Sequence, residues 1–360
     1  MNILLQIKGK EKELFAAIPN LNDYEKAIID TCGSKNCSQM AKESGISQYV
    51  LQKLLADFPD FDKYKEELFK IKSLSTSAIF WAADDTFSPR KYSEVLESNW
   101  LLRDGADNCY KKGISIVVLG IVINEYFFPI AFKNWVPKAL AGDNYRSKVE
   151  ILIELIEKFK DEMKNAIIIA DGLYATRQML KYLQDTGLLF VMRFASNRSI
   201  QPLDRNNETI GEKVAVSKCE QLKKERNMLA KGIKCLWHEY EVFITADFFI
   251  NRRNEPDVKY IISNCNVTPK EHVKMYKCRW VIENFFKFCK QSLGFNDNRS
   301  HTLKNLLNHI AHVFSLYIKL QLHALKKRFF TIYQLLDLLR YKKSYFAFSD
   351  LALDHIFSLV

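Results

Sequence analysis

The sequence predicts an α/β protein in which helices flank a mixed β-sheet. Apolar runs of strand length, rich in β-branched residues, lie at 77–84, 114–123, 126–132, 166–170 and 188–194. Amphipathic runs with helical spacing lie at 147–162 and 174–186. The elements therefore follow one another in the order β-β-β-α-β-α-β, which is typical of an α/β fold. The residues do not determine the order of the strands within the sheet.

Regions of a different character lie on both sides of this segment. The stretch after residue 198 is rich in turn residues and then alternates in a β-like way, whereas 303–327 and 330–343 have helical amphipathic patterns. We predict a helical N-terminal region at 1–75, the first part of an α/β core at 76–197, a β-rich insertion at 198–262, the second part of the core at 263–325, and a C-terminal helical region at 326–360.

A finer pattern within the N-terminal region is typical of a helix-turn-helix. It spans residues 38–55, with Ala41 where two helices would cross, Gly45 in the turn and the apolar residues Ile46 and Leu51 after it. Degenerate matches of this kind are frequent. The segment is therefore either a DNA-reading unit or part of a small helical bundle.

Composition indicates a folded protein with a polyanionic partner. The 360 residues are 48% hydrophobic, with 25 Phe and 16 Tyr, so the chain can bury a substantial core. Fifty-three basic residues against 42 acidic residues give a formal net charge of +11. A surplus of this size suits nucleic acid or an anionic membrane surface.

Four other classes of protein are disfavoured. The first residues lack the sustained apolar segment of a secretory signal, and the apolar stretch 114–132 is interrupted by Asn124, Glu125 and Pro129, which indicates two strands instead of a membrane span. The eight cysteines are scattered without C-x2-C pairs, so neither a zinc finger nor a disulfide framework is expected. We expect a cytoplasmic protein without membrane association.

Acidic residues follow two of the predicted strands. SAIFWAADDT ends in Asp84 and Asp85, and NAIIIAD ends in Asp171, which Gly172 and a predicted helix follow. A carboxylate at the end of a buried strand has to be paired, hydrogen-bonded or metal-bound, and ligands gather beyond the carboxyl ends of such strands. The alternative is that these aspartates only cap turns or helices.

The stretch 275–294 sorts its side chains by face when it is drawn as one helix. One arc of about 80° contains a single acid among polar and cationic residues, namely Tyr276, Arg279, Glu283, Lys287 and Lys290. Val281, Ile282, Phe285, Phe288 and Cys289 lie on the opposite side. The polar face suits a metal site that handles phosphates, but an amphipathic helix with charges in water gives the same pattern.

Taken together, these motifs resemble the DDE transposases of the IS4 type. The resemblance rests on Asp84-Asp85-Thr86, on Asp171-Gly172, and on the spacing Tyr276-x2-Arg279-x3-Glu283-x6-Lys290, which matches the family's Y-x2-R-x3-E-x6-K signature. It covers roughly residues 77–320. The resemblance implies a ribonuclease-H-like core with a β-rich insertion before the glutamate helix, and it places the strand of Asp84 beside the strand that ends in Asp171.

The chemistry implied is metal-dependent phosphodiester cleavage. Three carboxylates brought together repel one another, and hard divalent cations relieve that repulsion. We expect Asp84, Asp171 and Glu283 to be catalytic and to hold two Mg²⁺ or Mn²⁺ ions. The family pattern favours Asp84 over Asp85, although the doublet leaves that choice open. Tyr276, Arg279, Lys287 and Lys290 are the expected DNA-binding residues.

The resemblance also implies a reaction sequence and partners. Cut-and-paste transposition would begin with hydrolysis at the ends of the element, pass through a hairpin and finish with strand transfer into target DNA. The partners would be double-stranded DNA, as terminal inverted repeats and target, and a second copy of the chain in the DNA complex. Two alternatives remain open: a catalytically silent or repurposed DNA-binding relative, and another nuclease with the same core.

Overall fold

The computed structural model describes residues 21–59, 68–69, 80–90, 99–104, 109–123, 125–225, 229–327 and 331–340. Parts of several predicted elements lie outside these ranges: the N-terminal region at 1–20, 60–67 and 70–75, the start of the first strand at 77–79, residues 226–228 of the insertion, and the C-terminal helical region at 328–330 and after residue 340. The chain divides into two compact units, one formed by 1–64, 88–113 and 286–360, the other by 65–87 and 114–285.

The strands of the structure are β1 (Phe80–Pro89), β2 (Trp100–Asp104), β3 (Cys109–Ile123), β4 (Tyr126–Trp135), β5 (Ile167–Ala170), β6 (Leu189–Phe194), β7 (Ser199–Pro202), β8 (Val214–Ala215), β9 (Ala230–Trp237), β10 (Tyr240–Ile250) and β11 (Pro256–Ser263).

The helices are α1 (Asp23–Asp30), α2 (Cys37–Ser44), α3 (Gln48–Ala56), α4 (Lys138–Ala141), α5 (Lys148–Glu157), α6 (Arg177–Asp185), α7 (Pro269–Lys277), α8 (Trp280–Ser292), α9 (Leu303–Lys327) and α10 (332–340). None of those within the described ranges is both long enough and apolar enough to cross a membrane.

The strands form one mixed sheet in the order β2-β3-β1-β5-β6-β11-β10-β9-β7-β8, and β4 pairs with β3. β1, β5 and β6 are parallel neighbours, whereas β11 pairs antiparallel with β6. The predicted α/β class, the mixed sheet and the neighbouring positions of β1 and β5 are therefore confirmed. The predicted β-rich segment continues the same sheet, because its last strand, β11, adds directly to the edge of β6.

Local signals explain where the helices near the sheet begin. Ser147 caps α5 in a capping box with Glu150, and Thr268 caps α7 in the same way, with Pro269 at the first helical position. The predicted helix 147–162 ends earlier than expected, because α5 stops at Glu157 and turns lead into β5.

The stretch 275–294 is not the single helix that we predicted. α7 ends at Lys277 and α8 begins at Trp280, with a tight turn between them in which the Arg279 amide donates to the Tyr276 carbonyl oxygen at 3.0 Å. Such i→i−3 bonds wind the chain more tightly than an α-helix does. Angles calculated for a continuous helix therefore do not hold across residues 278–279.

Two helices joined at a glycine occupy the predicted helix-turn-helix segment. α2 ends at Ser44 and is capped by Gly45, which has a φ of 74°, and α3 begins after the capping residue Ser47. Met40 and Leu51 are buried within this unit. The structure therefore has two helices and a turn in this segment, and the helix-turn-helix that reads DNA stays a prediction.

Candidate active site

Asp84 and Asp171 lie side by side at the point where β5 ends. Contrary to our prediction from the apolar run 77–84, β1 does not end at the doublet but continues through both aspartates to Pro89. The register pairs Ala83 of β1 with Ala170, the last residue of β5, and each aspartate is the next residue along the chain. Neighbouring strands are about 4.8 Å apart, and residues at equal positions in parallel strands face the same side of the sheet. The two aspartates are therefore immediate neighbours on one face.

That face is the one that α7 covers. Ile167 and Ile169 of β5 pack in one buried cluster with Val191, Ile261 and Tyr276. Since side chains alternate along a strand, Asp171 lies on the same face as Ile169, two residues before it. The aspartates consequently lie at the end of the covered face, close to the point where α7 finishes.

Arg279, in the turn after α7, joins this edge of the sheet to the glutamate. Its Nη1 donates to Asp84 Oδ2 at 2.7 Å, and its Nη2 donates to Glu283 Oε1. The side chains of Arg279, Asp84 and Glu283 are 17%, 16% and 34% exposed, so water reaches them only in part. Because one guanidinium spans both acids, their carboxylates lie within roughly 8 Å of each other.

Burial and neighbouring charges shift the acidity of this group of side chains. Burial raises the pKa of Asp84 to about 7; Arg279 opposes this shift, and Asp85 and Asp171 add to it. For Arg279, burial disfavours the charged form, but Asp84, Tyr276 and Glu283 outweigh burial and raise its pKa. Burial also raises the pKa of Tyr276 to about 12, so its hydroxyl stays protonated.

Three of the predicted DNA-binding residues have different environments. Tyr276 is buried, with Arg279 Cζ and Lys259 Nζ each 5.8 Å from its ring centroid. Lys287 is exposed and Lys290 is half-buried on α8. Both lysines belong to the first compact unit, whereas Tyr276, Arg279 and the three acids belong to the second.

The donor set fits a hard divalent cation. The acids offer only carboxylate oxygens, which Mg²⁺ and Mn²⁺ prefer. In the part of the chain that the structure describes, no group of three or more His, Cys, Asp or Glu side chains is arranged to hold a metal ion. The positive charge between Asp84 and Glu283 is instead the guanidinium of Arg279. Arg279 would therefore have to move before Asp84 and Glu283 could share a metal ion.

One basic residue at this edge was missed in the sequence. Arg193 of β6 follows Met192, which pairs with Ala170, so Arg193 is the lateral neighbour of Asp171 on the same face. Its side chain is exposed, and Gly172 approaches its backbone so closely that a Cβ would lie 3.4 Å from the Arg193 carbonyl oxygen. The sequence does contain a signal for Arg193: it interrupts the apolar run LLFVMRF, and charged residues are uncommon within buried strands.

Comparison with protein families gives a match to a family model. A family model described as transposase DDE domain matches residues 138–318, a span that contains Asp171, Arg193, Arg279 and Glu283 and begins after Asp84. The comparison with curated proteins found no match.

Proposed function

The chain belongs to the transposase DDE domain family, and on that premise we propose that it is a DNA transposase that cleaves phosphodiester bonds with Asp84, Asp171 and Glu283. The observation that carries the proposal is the convergence of these acids. Asp84 and Asp171 lie on neighbouring parallel strands, Asp171 directly after the end of β5, and one guanidinium holds Asp84 together with Glu283. Such a cluster of carboxylates is costly without cations.

Two divalent ions, Mg²⁺ or Mn²⁺, are the proposed cofactors. Asp84, Asp171 and Glu283 would hold them, and when bound they would activate a water or a 3′-hydroxyl and stabilise the leaving oxygen. Arg279 balances the charge of two of these acids in the metal-free chain. Once released, its planar fork suits a DNA phosphate beside the scissile bond.

The ribonuclease-H-like character of the core and the DNA contacts belong to the same proposal. Tyr276, Arg279, Lys287 and Lys290 would contact the DNA strand that is cut, and Arg193 adds an exposed guanidinium next to Asp171. α3 would enter the major groove as the second helix of a helix-turn-helix. The net charge of +11 favours the polyanionic partner.

We propose the cut-and-paste route for the whole reaction. The freed 3′-hydroxyl would attack the opposite strand to form a hairpin, and the reopened end would attack target DNA. Two copies of the chain would act on paired inverted repeats, in the cytoplasm and next to the nucleoid. This reaction sequence goes beyond what the family membership states. Hydrolysis, hairpin formation and strand transfer would each break a phosphodiester bond at the same metal site.

The decisive experiment incubates the purified full chain with a DNA fragment that carries both flanks of its gene, with Mg²⁺ or Mn²⁺. We expect cleavage at the ends and joining to a target plasmid, and we expect Glu283→Gln to lose cleavage while binding to the end fragment persists. Glu239→Gln is the matched control, because Glu239 also pairs with an arginine, Arg177, but at an exposed site. Cleavage retained by Glu283→Gln would refute the metal-binding role. Cutting without joining would indicate a nuclease, and binding without cutting would indicate a silent relative.

A further inference from the structure

The second aspartate of the doublet, Asp85, has an ion pair of its own. Lys148 Nζ donates to Asp85 Oδ2 at 2.6 Å, and each of the two side chains is 23% exposed. Longer contacts come from the Ser115 hydroxyl to Oδ2 at 3.5 Å and from the Tyr174 hydroxyl to Oδ1 at 3.4 Å. Three elements of the second compact unit therefore hold this carboxylate.

Asp84 and Asp85 face opposite sides of the sheet. Asp84 shares its face of the sheet with Asp171, and successive residues of a strand face opposite sides. Asp85 thus faces the side on which Lys148 and Tyr174 meet it. Burial raises the pKa of Tyr174, and its hydroxyl consequently stays a donor to the carboxylate.

The position of Lys148 is not explained by its own helix. It is the first residue of α5, directly after the capping residue Ser147. A cation is unfavourable at a helix N-terminus, because the helix dipole places partial positive charge there. The contacts that favour Lys148 at this position are the ion pair with Asp85 and the face of the Trp135 ring, whose centroid lies 5.1 Å from Nζ.

The two aspartates are also joined directly. The Asp85 backbone N–H donates to Asp84 Oδ1 at 2.9 Å, while Asp84 Oδ2 accepts from Arg279. Anchoring the Asp85 side chain therefore fixes the peptide that orients the Asp84 carboxylate. A released Asp85 would offer a second carboxylate next to Asp84, and it could compete with Asp84 for a metal ion.

We propose that Lys148 is a positioning residue of the metal site: its ion pair keeps Asp85 away from the metal ions and leaves Asp84 as the ligand supplied by β1. The inference rests on the proposed function and deepens it, because it assigns different roles to the two members of the doublet. Groups that hold a neighbouring side chain in this way commonly change metal affinity or activity by about 10–100-fold when they are removed.

The test is whether one substitution rescues another. In metal-dependent cleavage of the gene-flank fragment, Lys148→Met should lose about 10-fold or more of the rate, whereas Lys148→Arg should stay within a few-fold of the parent. Adding Asp85→Asn to Lys148→Met should restore the rate to that of Asp85→Asn alone, since no free carboxylate then competes. A role of Lys148 in packing or in attracting DNA would not be rescued in this way.

The matched control is Lys181→Met. Lys181 also pairs with an aspartate, Asp185, at 2.6 Å, but at an exposed site on α6, so we expect no change in cleavage. Thermal unfolding of every variant shows whether it folds. Parent-like cleavage by Lys148→Met, or a loss that Asp85→Asn does not restore, overturns the inference. Inactivity of Asp85→Asn alone would identify Asp85 itself as the ligand and also overturns it.

If the parent chain does not cleave DNA, the proposed function is refuted. A second measurement tests the inference in that case as well. Binding of Mn²⁺ alone to the full chain is followed by the electron paramagnetic resonance signal of the free ion. We expect Asp84→Asn to weaken binding about 10-fold or more, and we expect Asp85→Asn to bind as the parent does. Weaker binding by Asp85→Asn than by Asp84→Asn, or no binding by the parent chain, would overturn the assignment.

Discussion

Replacing Arg279 with methionine should destabilise the metal-free protein. The substitution keeps an unbranched side chain but removes the guanidinium that pairs with both Asp84 and Glu283. Both carboxylates would be left without their cation, with Asp171 as a further neighbour of Asp84. Leaving a desolvated charge unpaired is the costly event, more than the loss of the bond itself.

The size of the effect follows from distance and exposure. A contact pair about 4 Å apart is worth about 4 kcal/mol at an effective dielectric constant near 20, before desolvation is subtracted, and breaking a buried pair typically costs about 3–5 kcal/mol. The three side chains are 17%, 16% and 34% exposed, so water screens part of the loss. We therefore expect a loss of about 2–3 kcal/mol, which for a unit of this size lowers the melting temperature by about 5–10 °C.

The loss should depend on pH and on metal. The folded-state pKa of Asp84, about 7, lies above its unfolded value, so the stability contributed by this group falls as the pH rises through about 7. Arg279 lowers that pKa, and its removal should make the penalty larger at pH 8.5 than at pH 6. Excess Mg²⁺ should recover part of the loss, because an ion that binds the folded chain stabilises it.

The assay is thermal unfolding followed by circular dichroism, with EDTA or with Mg²⁺. Arg177→Met is the matched control, since Arg177 pairs with Glu239 at 2.9 Å on an exposed surface, where such pairs contribute about 0–1 kcal/mol. Melting temperatures of Arg279→Met and the parent that agree within the error of the scans at pH 8.5 in EDTA would refute the reasoning.

Three further predictions concern stability and DNA binding. Burial lowers the pKa of His309 to about 3 from an ordinary 6.5. The free energy of unfolding should therefore fall as the pH drops below 6.5, by about 1.4 kcal/mol per pH unit for this proton. In denaturant titrations at several pH values, the free energy of unfolding of His309→Gln should depend less steeply on pH than that of the parent. Gly120→Ala should unfold the chain or prevent expression, because the new Cβ would lie 2.3 Å from the Phe128 carbonyl oxygen; soluble protein with a parent-like melting temperature would contradict this. Arg193→Gln should lower the slope of log binding constant against log salt by about 1 for the end fragment if its guanidinium contacts a phosphate, whereas an unchanged slope would remove Arg193 from the interface.

Much of the fold was predictable because its signals are local. Apolar runs and β-branched residues marked β1, β3, β4, β5 and β6, and amphipathic runs marked α5 and α6. The boundaries were less accurate. β3 extends beyond its apolar run to Cys109, where its first residues pair with β2, and such pairing depends on a partner strand that local patterns do not reveal.

The helix that carries the glutamate shows the opposite case. Drawing 275–294 as one uninterrupted helix placed Tyr276 on a polar face, whereas the structure buries it against Ile167, Ile169 and Val191 of the sheet. The tight turn at Arg279 permits this, because it ends α7 and redirects the chain before α8. Burial of an aromatic ring against the sheet outweighs the regularity of one helix, and this competition is invisible in the sequence.

For the candidate site, the sequence determined which residue types follow apolar runs and occur at fixed spacing, and these, together with the family resemblance that they carry, pointed to Asp84, Asp171, Arg279 and Glu283. Only the tertiary structure decided that Arg279 lies between two of the acids and that Asp85 turns away to Lys148. The reason is that strand register and charge pairing join residues far apart in the chain. No local pattern of side chains encodes which of them will meet.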